Sequence, residues 1–387
     1  MGNQSTAQKP SKRQAKQKQN LITSTSVQGL KDSSTSFAKR ERKPEQSQDI
    51  TTSAPFETLK DLPTPLWISQ CVLHKHEILI CGGYKQSDCY SYHTIKIKYK
   101  FICSYPSNVY LAGHCVVKLK DHNSKDGNEI TLLSFGGNKD TQHTLVMKYV
   151  SVWSNGNKIK KSSNDNKWVP FTNNHYHPIH IGRGDGSRAV ISGSNNHLLF
   201  ITYPRDNISV FDLNTFQFIK HDTLPTDDFI GYHCFGLLIE YDEDNNTFQF
   251  HQLLVCDDIA SFYQYAYVCI NDVILFFGGF GYKDGKYVVS KSLHKYSIRE
   301  NKWITFQNTL PSPLYTCVAV LSEDNTLVHI IGGMNTKQAF VSTHMKTKVS
   351  EWLSEEEMKK GVQLKVEKEE KENGNETDKI VKKRYTS

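Results

Sequence analysis

The chain has 387 residues, of which 37% are hydrophobic and 22% are charged, and its formal net charge is +7. This length fits one large domain or two ordinary ones with a sizeable core, and no apolar run is long enough to cross a membrane as a helix. The nine cysteines contain no CxxC pair, which argues against both a disulfide framework and a zinc ribbon.

Residues 1–53 are expected to form a disordered basic tail, because they are rich in Ser, Thr, Gln and Lys and nearly free of aromatic residues. Residues 1–50 hold ten Lys or Arg against four Asp or Glu, so most of the net positive charge belongs to this tail. We therefore expect no nucleic-acid surface on the folded part of the chain. The polar N-terminus also lacks the pattern of a secretory signal, which predicts a cytoplasmic protein.

The first six residues, MGNQST, match the myristoylation pattern M-G-x-x-x-[ST], with Gly2 as the acceptor. Five Lys or Arg residues follow between positions 9 and 18. One acyl chain binds a membrane only weakly, and a basic patch adds attraction to anionic lipids. The pattern therefore predicts peripheral attachment to an anionic membrane surface, and the alternative is an ordinary basic tail.

Two motifs recur along the middle of the chain. Four apolar runs end in a glycine pair, namely Gly82 and Gly83, Gly136 and Gly137, Gly278 and Gly279, and Gly332 and Gly333. Two aromatic residues separated by six others also recur, as Tyr92 and Tyr99, Phe211 and Phe218, Tyr241 and Phe248, and Tyr296 and Trp303. Tyr149 and Trp168 show the same order with an insertion between them. Two antiparallel strands joined by a tight turn would place the two rings of each pair side by side.

A glycine pair followed by such an aromatic pair, in units of about 50 residues, resembles the kelch repeat. The resemblance covers residues 55–352 and implies an all-β fold, a kelch-type β-propeller of about six four-stranded blades around a central channel. The units predict blades at 64–107, 108–172, 186–225, 226–256, 262–311 and 312–352. The predicted propeller domain, 54–352, is followed by a charged C-terminal tail, 353–387.

Two units need a special account. Phe56 precedes Leu62-Pro63 just as Phe218 precedes Leu224-Pro225. Residues 54–63 are therefore predicted to form an outer strand that completes the last blade, a place for which Trp352 competes. In the fourth unit, Tyr241 follows Phe211 by only 30 residues, which predicts a truncated blade that lacks one or two strands. Two explanations stay open: the ring is imperfect at this unit, or the chain is a shortened member of the family.

The sequence offers little for chemistry. His175, His177 and His180 lie in the segment HYHPIH and are a weak candidate for a metal site, because a polar loop explains them equally well. The segment GRGDGSR, residues 182–188, indicates a flexible turn. No nucleophile elbow, HExxH pair or P-loop is present, so we expect no catalytic residues, no cofactor and no enzymatic activity.

The kelch resemblance implies a protein–protein interaction scaffold, which the N-terminus would hold at a membrane. The longest connections, 120–130 and 154–184, are the predicted binding surface. One alternative is a small-molecule enzyme or sugar-binding propeller that uses the channel mouth, for which a buried group of His, Tyr and carboxylate would be evidence. A flat rim of aromatic and charged residues would favour protein binding. The other alternative is a shortened family member without autonomous function.

Overall fold

The computed structural model describes residues 19–23, 55–120, 129–137, 142–154, 164–181, 186–203, 207–225, 237–252, 255–283 and 285–359. These residues are nearly all β, with five four-stranded and two three-stranded antiparallel sheets. Such an arrangement is consistent with a β-propeller-like fold. Short helical segments lie at Asp257–Ala260 (α1), at Val349–Glu351 (a 3-10 turn) and at residues 355–359.

Two strands near the N-terminus, β1 (Gln19–Thr23) and β2 (Phe56–Thr58), pair with strands that come much later in the chain. The next twelve strands form three complete sheets, each in chain order. Sheet I consists of β3 (Gln70–His74), β4 (Glu77–Gly83), β5 (Gln86–His93) and β6 (Lys98–Ser104). Sheet II consists of β7 (Cys115–Leu119), β8 (Glu129–Gly136), β9 (His143–Val150) and β10 (Val169–Pro170). Sheet III consists of β11 (Arg188–Ser192), β12 (Leu198–Tyr203), β13 (Asn207–Asp212) and β14 (Gln217–Thr223).

The second half of the chain forms three further sheets and a small one. Sheet IV consists of β1, β15 (Leu237–Asp242) and β16 (Thr247–Gln252). Sheet V consists of β18 (Ala266–Ile270), β19 (Val273–Phe277), β22 (Leu293–Ser297) and β23 (Lys302–Thr305). Sheet VI consists of β24 (Val318–Leu321), β25 (Leu327–Ile331), β26 (His344–Lys348) and β2. The small sheet consists of β17 (Phe262–Tyr263), β20 (Phe280–Lys283) and β21 (Lys286–Val289).

Hairpins in sheets I, III, IV and V bring the spaced aromatic residues together, as their spacing predicts. Tyr92 and Tyr99 are Cα partners across β5 and β6, with ring centroids 4.8 Å apart. The other three pairs are also Cα partners, each with its centroids 5.0 Å apart. Sheet II differs, because Trp168 stacks on Tyr105 of the neighbouring sheet, at 4.6 Å, rather than on Tyr149. The insertion between Tyr149 and Trp168 thus changes the partner of the tryptophan.

The glycine pairs lie where one sheet meets the entry of the next. Gly278 at the end of β19 has φ +70°, and a Cβ built on it would lie 2.2 Å from the carbonyl oxygen of Leu314. Gly332 after β25 has φ +63°, and its Cβ would lie 2.7 Å from the carbonyl oxygen of Leu66. A side chain at either position would therefore force neighbouring sheets apart, which explains why glycine recurs there.

Buried apolar clusters join neighbouring sheets in order. One lies between sheets I and II, one between II and III, one between III and IV, one between V and VI, and one between VI and I. The innermost strands also follow one another, with β11 beside β7, β7 beside β3, β3 beside β24 and β24 beside β18. Five sheets therefore turn the same edge towards a common centre.

Sheet IV, which lies in the short fourth unit, differs from the other sheets in the part of the unit that the structure describes. Its strands β15 and β16 correspond to the last two strands of a complete sheet, since Tyr241 faces Phe248 as Phe211 faces Phe218. Strand β1 pairs with β15 along five residues, from Gln19 opposite Tyr241 to Thr23 opposite Leu237. It therefore takes the place of a second strand. No innermost strand of sheet IV lies among the described residues, and the expectation of a disordered N-terminal tail did not anticipate β1.

The ends of the predicted domain are both anchored. Strand β2 pairs with β26 and completes the outer edge of sheet VI, the position that the sequence predicts for it. Trp352 does not take that place but packs on it, with its ring 5.7 Å from that of Phe56. Beyond Trp352, Leu353 is buried, and Glu357 forms an ion pair with Lys295 of sheet V at 2.9 Å. The first residues of the predicted C-terminal tail therefore belong to the folded part.

Candidate functional site

Each innermost strand begins after the same unusual backbone turn. A residue with left-handed φ lies two positions before the strand in all five sheets, with φ between 51° and 80°. These residues are Ile68, Gly113, Gly186, Gln264 and Thr316. Left-handed φ is unfavourable for β-branched residues such as Ile68 and Thr316, so packing in the sheets must hold it. The turn sets which side chains of the following strand point to the centre.

The five innermost strands enclose a central cavity of about 270 Å³. A wider outer chamber of about 550 Å³ shares Cys71, Tyr267 and Ala319 with this cavity, so the two form one channel. Tyr267 is 42% exposed and Cys269 is also accessible, although burial raises the pKa of both. Solvent contact deep within the protein is the property expected of side chains that line a channel.

Arg188 is the charged residue of the central cavity. It is half-buried at the start of β11, and its guanidinium donates a hydrogen bond to the carbonyl oxygen of Ser187 at 3.0 Å. Among the described residues it forms no ion pair, and no Asp or Glu lines the cavity. Burial, together with His143 and Arg188, lowers the pKa of the nearby His114 to about 3. The interior is therefore positive near Arg188, where His114 stays neutral.

Three thiols line the cavity at successive depths. Cys317 precedes β24, whereas Cys115 and Cys71 are the first and second residues of their strands. Burial raises the pKa of Cys71 and Cys317 to about 12 and that of Cys115 to about 11. All three remain protonated near neutral pH, which makes them poor nucleophiles and poor metal ligands. Cys234 lies outside the described residues.

An arc of aromatic side chains surrounds the end of the channel opposite the outer chamber. The arc consists of Tyr287, Phe280, Tyr315, Phe340, Trp67, Tyr84 and Tyr110. It runs from the small sheet, whose strands β20 and β21 come between β19 and β22 of sheet V, to the connections of sheets VI and I. Successive ring centroids are 5.4 Å, 4.9 Å, 5.2 Å, 4.6 Å and 6.2 Å apart, and the backbone of Met334 bridges Tyr315 to Phe340. Trp67 and Tyr315 are each followed directly by a residue that lines the cavity. The arc therefore forms one rim of the channel.

Lysines accompany the arc. Lys85, Lys283, Lys286 and Lys337 are all exposed, and Lys85 lies 5.2 Å from the centroid of the Tyr84 ring. None of the four forms an ion pair with a residue that the structure describes. Tyr287 is 72% exposed and Phe340 is 41% exposed. Large rings that stay exposed beside unpaired positive charges mark a surface suited to a partner.

Buried histidines lie between the sheets rather than at the channel. His344 accepts or donates a hydrogen bond with His329 at 2.9 Å and contacts the Tyr99 hydroxyl, at the junction of sheets VI and I. Burial lowers the pKa of His344 to about 3 and that of His329 to about 4. Glu77 is similarly buried, where Tyr149 and Ser91 donate hydrogen bonds to its carboxylate. These groups pack between the sheets and do not line the cavity.

The sites predicted from the sequence do not meet at this rim. His175 and His177 are exposed in the connection between sheets II and III, with ring centroids 6.3 Å apart, and His180 is exposed nearby. Within the described residues, no group of three or more His, Cys, Asp or Glu is placed to hold a metal ion. Gly2, residues 182–185 and much of the predicted surface at 120–130 and 154–184 lie outside the described residues. The part of the chain that the structure describes contains no helix long and apolar enough to cross a membrane.

The arc was missed by sequence reasoning, although the sequence carries a signal for it. Tyr84 and Phe280 each come directly after a glycine pair, and Met334 follows a third pair. Since each pair ends a strand at the channel mouth, the next residue must lie on the rim. Reading the residue after each pair, rather than the pair alone, would have located three sheets of the rim.

Comparison with known proteins bears on the fold alone. No protein-family model matches the chain, and no curated protein matches it. Among solved structures, that of the protein YjhT is similar over 74% of this chain and 95% of its own, with a TM-score of 0.53 and 14% sequence identity. At this identity the likeness supports a shared β-propeller-like fold, and function has to be argued from the residues at the rim and in the channel.

Proposed function

We propose that the protein is a non-enzymatic platform for protein–protein interaction, and that the aromatic arc is its binding surface. The observation that supports this most directly is the exposure of Tyr287 and Phe340 beside four lysines without ion-pair partners. Aromatic residues dominate the binding energy of protein interfaces, because their rings bury a large area at a low cost in conformational entropy. The lysines favour a partner whose contact segment is acidic.

The proposal includes the architecture that presents this surface. We infer that the six sheets are blades of a kelch-type propeller, with β2 closing the ring at sheet VI and sheet IV as an incomplete blade. A closed ring would hold the loops of sheets V, VI and I in one fixed rim, which lowers the entropic cost of binding. The arc needs three adjacent sheets in register, and their shared apolar clusters supply that rigidity.

The enzyme alternative has less support in the described residues. The buried carboxylate Glu77, with Tyr149 and Ser91, has the composition that an active site would require, yet these residues lie between sheets and away from the cavity. The thiols that do line the cavity have raised pKa values. Membrane attachment through Gly2 stays part of the proposal as a means of holding the platform at an anionic surface.

A comparative pull-down tests the platform proposal. The full-length protein, the double variant Tyr287→Ala/Phe340→Ala and the control Phe101→Ala would be used as baits in lysate from the cells that make the protein. Phe101 is also exposed, at 54%, but lies on the outer strand β6 away from the rim. We expect a partner captured equally by the wild type and the control, and at least tenfold less by the double variant, because interface aromatics typically contribute about 2 kcal/mol or more each. Equal capture by all three baits would contradict the arc as the binding surface.

A further inference from the structure

The central cavity presents an electrostatic problem that the platform function does not address. Arg188 is its charged residue among the described lining residues, and neither an Asp nor a Glu is found among them. Taking a guanidinium out of water without a counter-charge is unfavourable, and proteins normally supply a carboxylate or leave the group in bulk solvent. Arg188 is half-buried, and among the described residues its guanidinium donates one hydrogen bond, to the carbonyl oxygen of Ser187. A guanidinium has five N–H donors, so it can bind further acceptors in the cavity that it lines.

Neutral donors complete the lining around Arg188. Gln70 and Gln264 lie at the entry of β3 and β18, and Tyr267 lies near enough for the charge of Arg188 to act on its hydroxyl. The Gln264 side chain has no hydrogen-bond partner among the described residues, and its backbone has left-handed φ of 58°. The left-handed φ itself belongs to the turn that precedes each of the five innermost strands, so it is the position of an amide side chain in the cavity lining that favours a polar ligand.

Size and access restrict the ligand. A cavity of about 270 Å³ has room for a small organic acid near Arg188. The outer chamber, which is lined by Lys75 and Lys118 together with Glu323, gives a route from solvent. Two lysines at this mouth raise the local concentration of anions.

We propose that the central cavity binds a small organic anion, a carboxylate or phosphate compound, whose oxygen atoms pair with the guanidinium of Arg188. The planar fork of a guanidinium matches two oxygens of a carboxylate or phosphate at once, which a lysine cannot do. Gln264 and Gln70 would supply hydrogen bonds to the rest of the molecule. This site is separate from the aromatic arc and lies inside the channel that the arc surrounds.

Thermal unfolding of the full-length protein tests the proposal, with malonate and inorganic phosphate as probes and sodium chloride at matched ionic strength as the reference. We expect 20 mM malonate or phosphate to raise the Tm of the wild type by about 2–3 °C relative to chloride. The shift should disappear in Arg188→Gln and should fall to less than half in Arg188→Lys. The control Lys302→Gln, which removes an exposed charge on the outer strand β23, should keep the full shift.

Isothermal titration of the same probes gives an independent reading that does not depend on the stability of the variants. Arg188→Lys keeps the charge and is expected to fold, and its affinity for malonate should be at least tenfold weaker than that of the wild type. A larger response to malonate than to phosphate would identify a carboxylate ligand, and the reverse would identify a phosphate ligand. Equal Tm shifts in wild type and Arg188→Gln, or no binding of either probe to the wild type beyond that of chloride, would overturn the proposal. A lower Tm of Arg188→Gln in every buffer, without loss of the anion shift, would mean that Arg188 is structural.

Discussion

Sheets VI and IV both take a strand from the N-terminal part of the chain, but they take it at opposite edges. Strand β2 lies on the outer edge of sheet VI, where Phe56 packs on Trp352 and the Thr347 hydroxyl donates to the carbonyl oxygen of Pro55 at 2.6 Å. Strand β1 pairs with β15 at the position of a second strand in sheet IV. An outer strand can be supplied from far away in the sequence without changing the channel wall. In sheet IV the described residues contain no inner strand, and β1 does not take that position.

The largest effect should come from the anchor of β2. Phe56 is 7% exposed, so Phe56→Ala leaves a cavity between β2 and the Trp352 ring and should lower the free energy of unfolding by about 3–5 kcal/mol. Urea denaturation followed by tryptophan fluorescence measures the change. The neighbouring Glu57→Ala removes a largely exposed partner of Lys346 and should cost less than about 1 kcal/mol. Equal midpoints for Phe56→Ala and the wild type would mean that β2 is not a stabilising part of sheet VI.

An intermediate effect should come from acid, and the buried histidine pair of sheet VI should contribute to it. His329 and His344 have pKa values near 4 and 3 in the folded state, whereas an unfolded histidine has a pKa of about 6.5. The unfolded chain therefore binds more protons below pH 6.5, so their stabilising contribution is present above that pH and is lost as the pH falls towards 4. Urea midpoints measured from pH 7.5 to 4.5 should decline, and His344→Gln should flatten the decline.

Amide exchange at the same pH values shows where acid acts. Exchange should increase in β25 and β26 before it does in β15 and β16. A flat stability profile between pH 7 and 5 would show that these histidines are accessible to protons in the folded protein.

The smallest effect on global stability should come from removal of β1. Deleting residues 1–30 exposes the edge of β15, and the amides of Leu237–Asp242 should lose protection from hydrogen exchange, while the Tm falls by only a few degrees. Deleting residues 1–15 leaves β1 in place and serves as the control. If both deletions leave the exchange of β15 unchanged, the pairing of β1 with β15 does not persist in solution.

The sequence predicts those parts of the fold that depend on residues close together in the chain. The aromatic pairs follow from hairpin spacing, and the glycine pairs follow from a close approach of backbones that a side chain would prevent. Strand β2 was predicted because PFETLKDLP copies the end of another unit. Strand β1 was not, since QNLIT lies in a polar segment and pairs with a strand more than 200 residues away. Pairing over such a distance depends on an unpaired strand edge in a remote part of the chain, which the residues around β1 do not indicate.

The site was less predictable than the fold for a related reason. A left-handed φ is expected at glycine, but it could not be predicted at Ile68 or Thr316, because β-branched residues rarely adopt it. The arc joins side chains from three sheets, so its continuity exists only after the sheets are packed. Arg188 stands out because no carboxylate comes from the other lining strands. That property depends on five separated segments together, so it could not be predicted from the segment around Arg188 alone.

The pairing of β2 with β26 has a consequence for the protein while it is being made. The hydrogen bond from Thr347 to Pro55 joins residues 292 positions apart. At a synthesis rate of about 5–20 residues per second, roughly 15–60 s separate the emergence of β2 from that of its partner. During that interval sheets I to V can form on the ribosome, while Phe56 still lacks Trp352, the ring on which it packs. A nascent chain of this kind would gain from a chaperone that covers its N-terminal end until translation is complete.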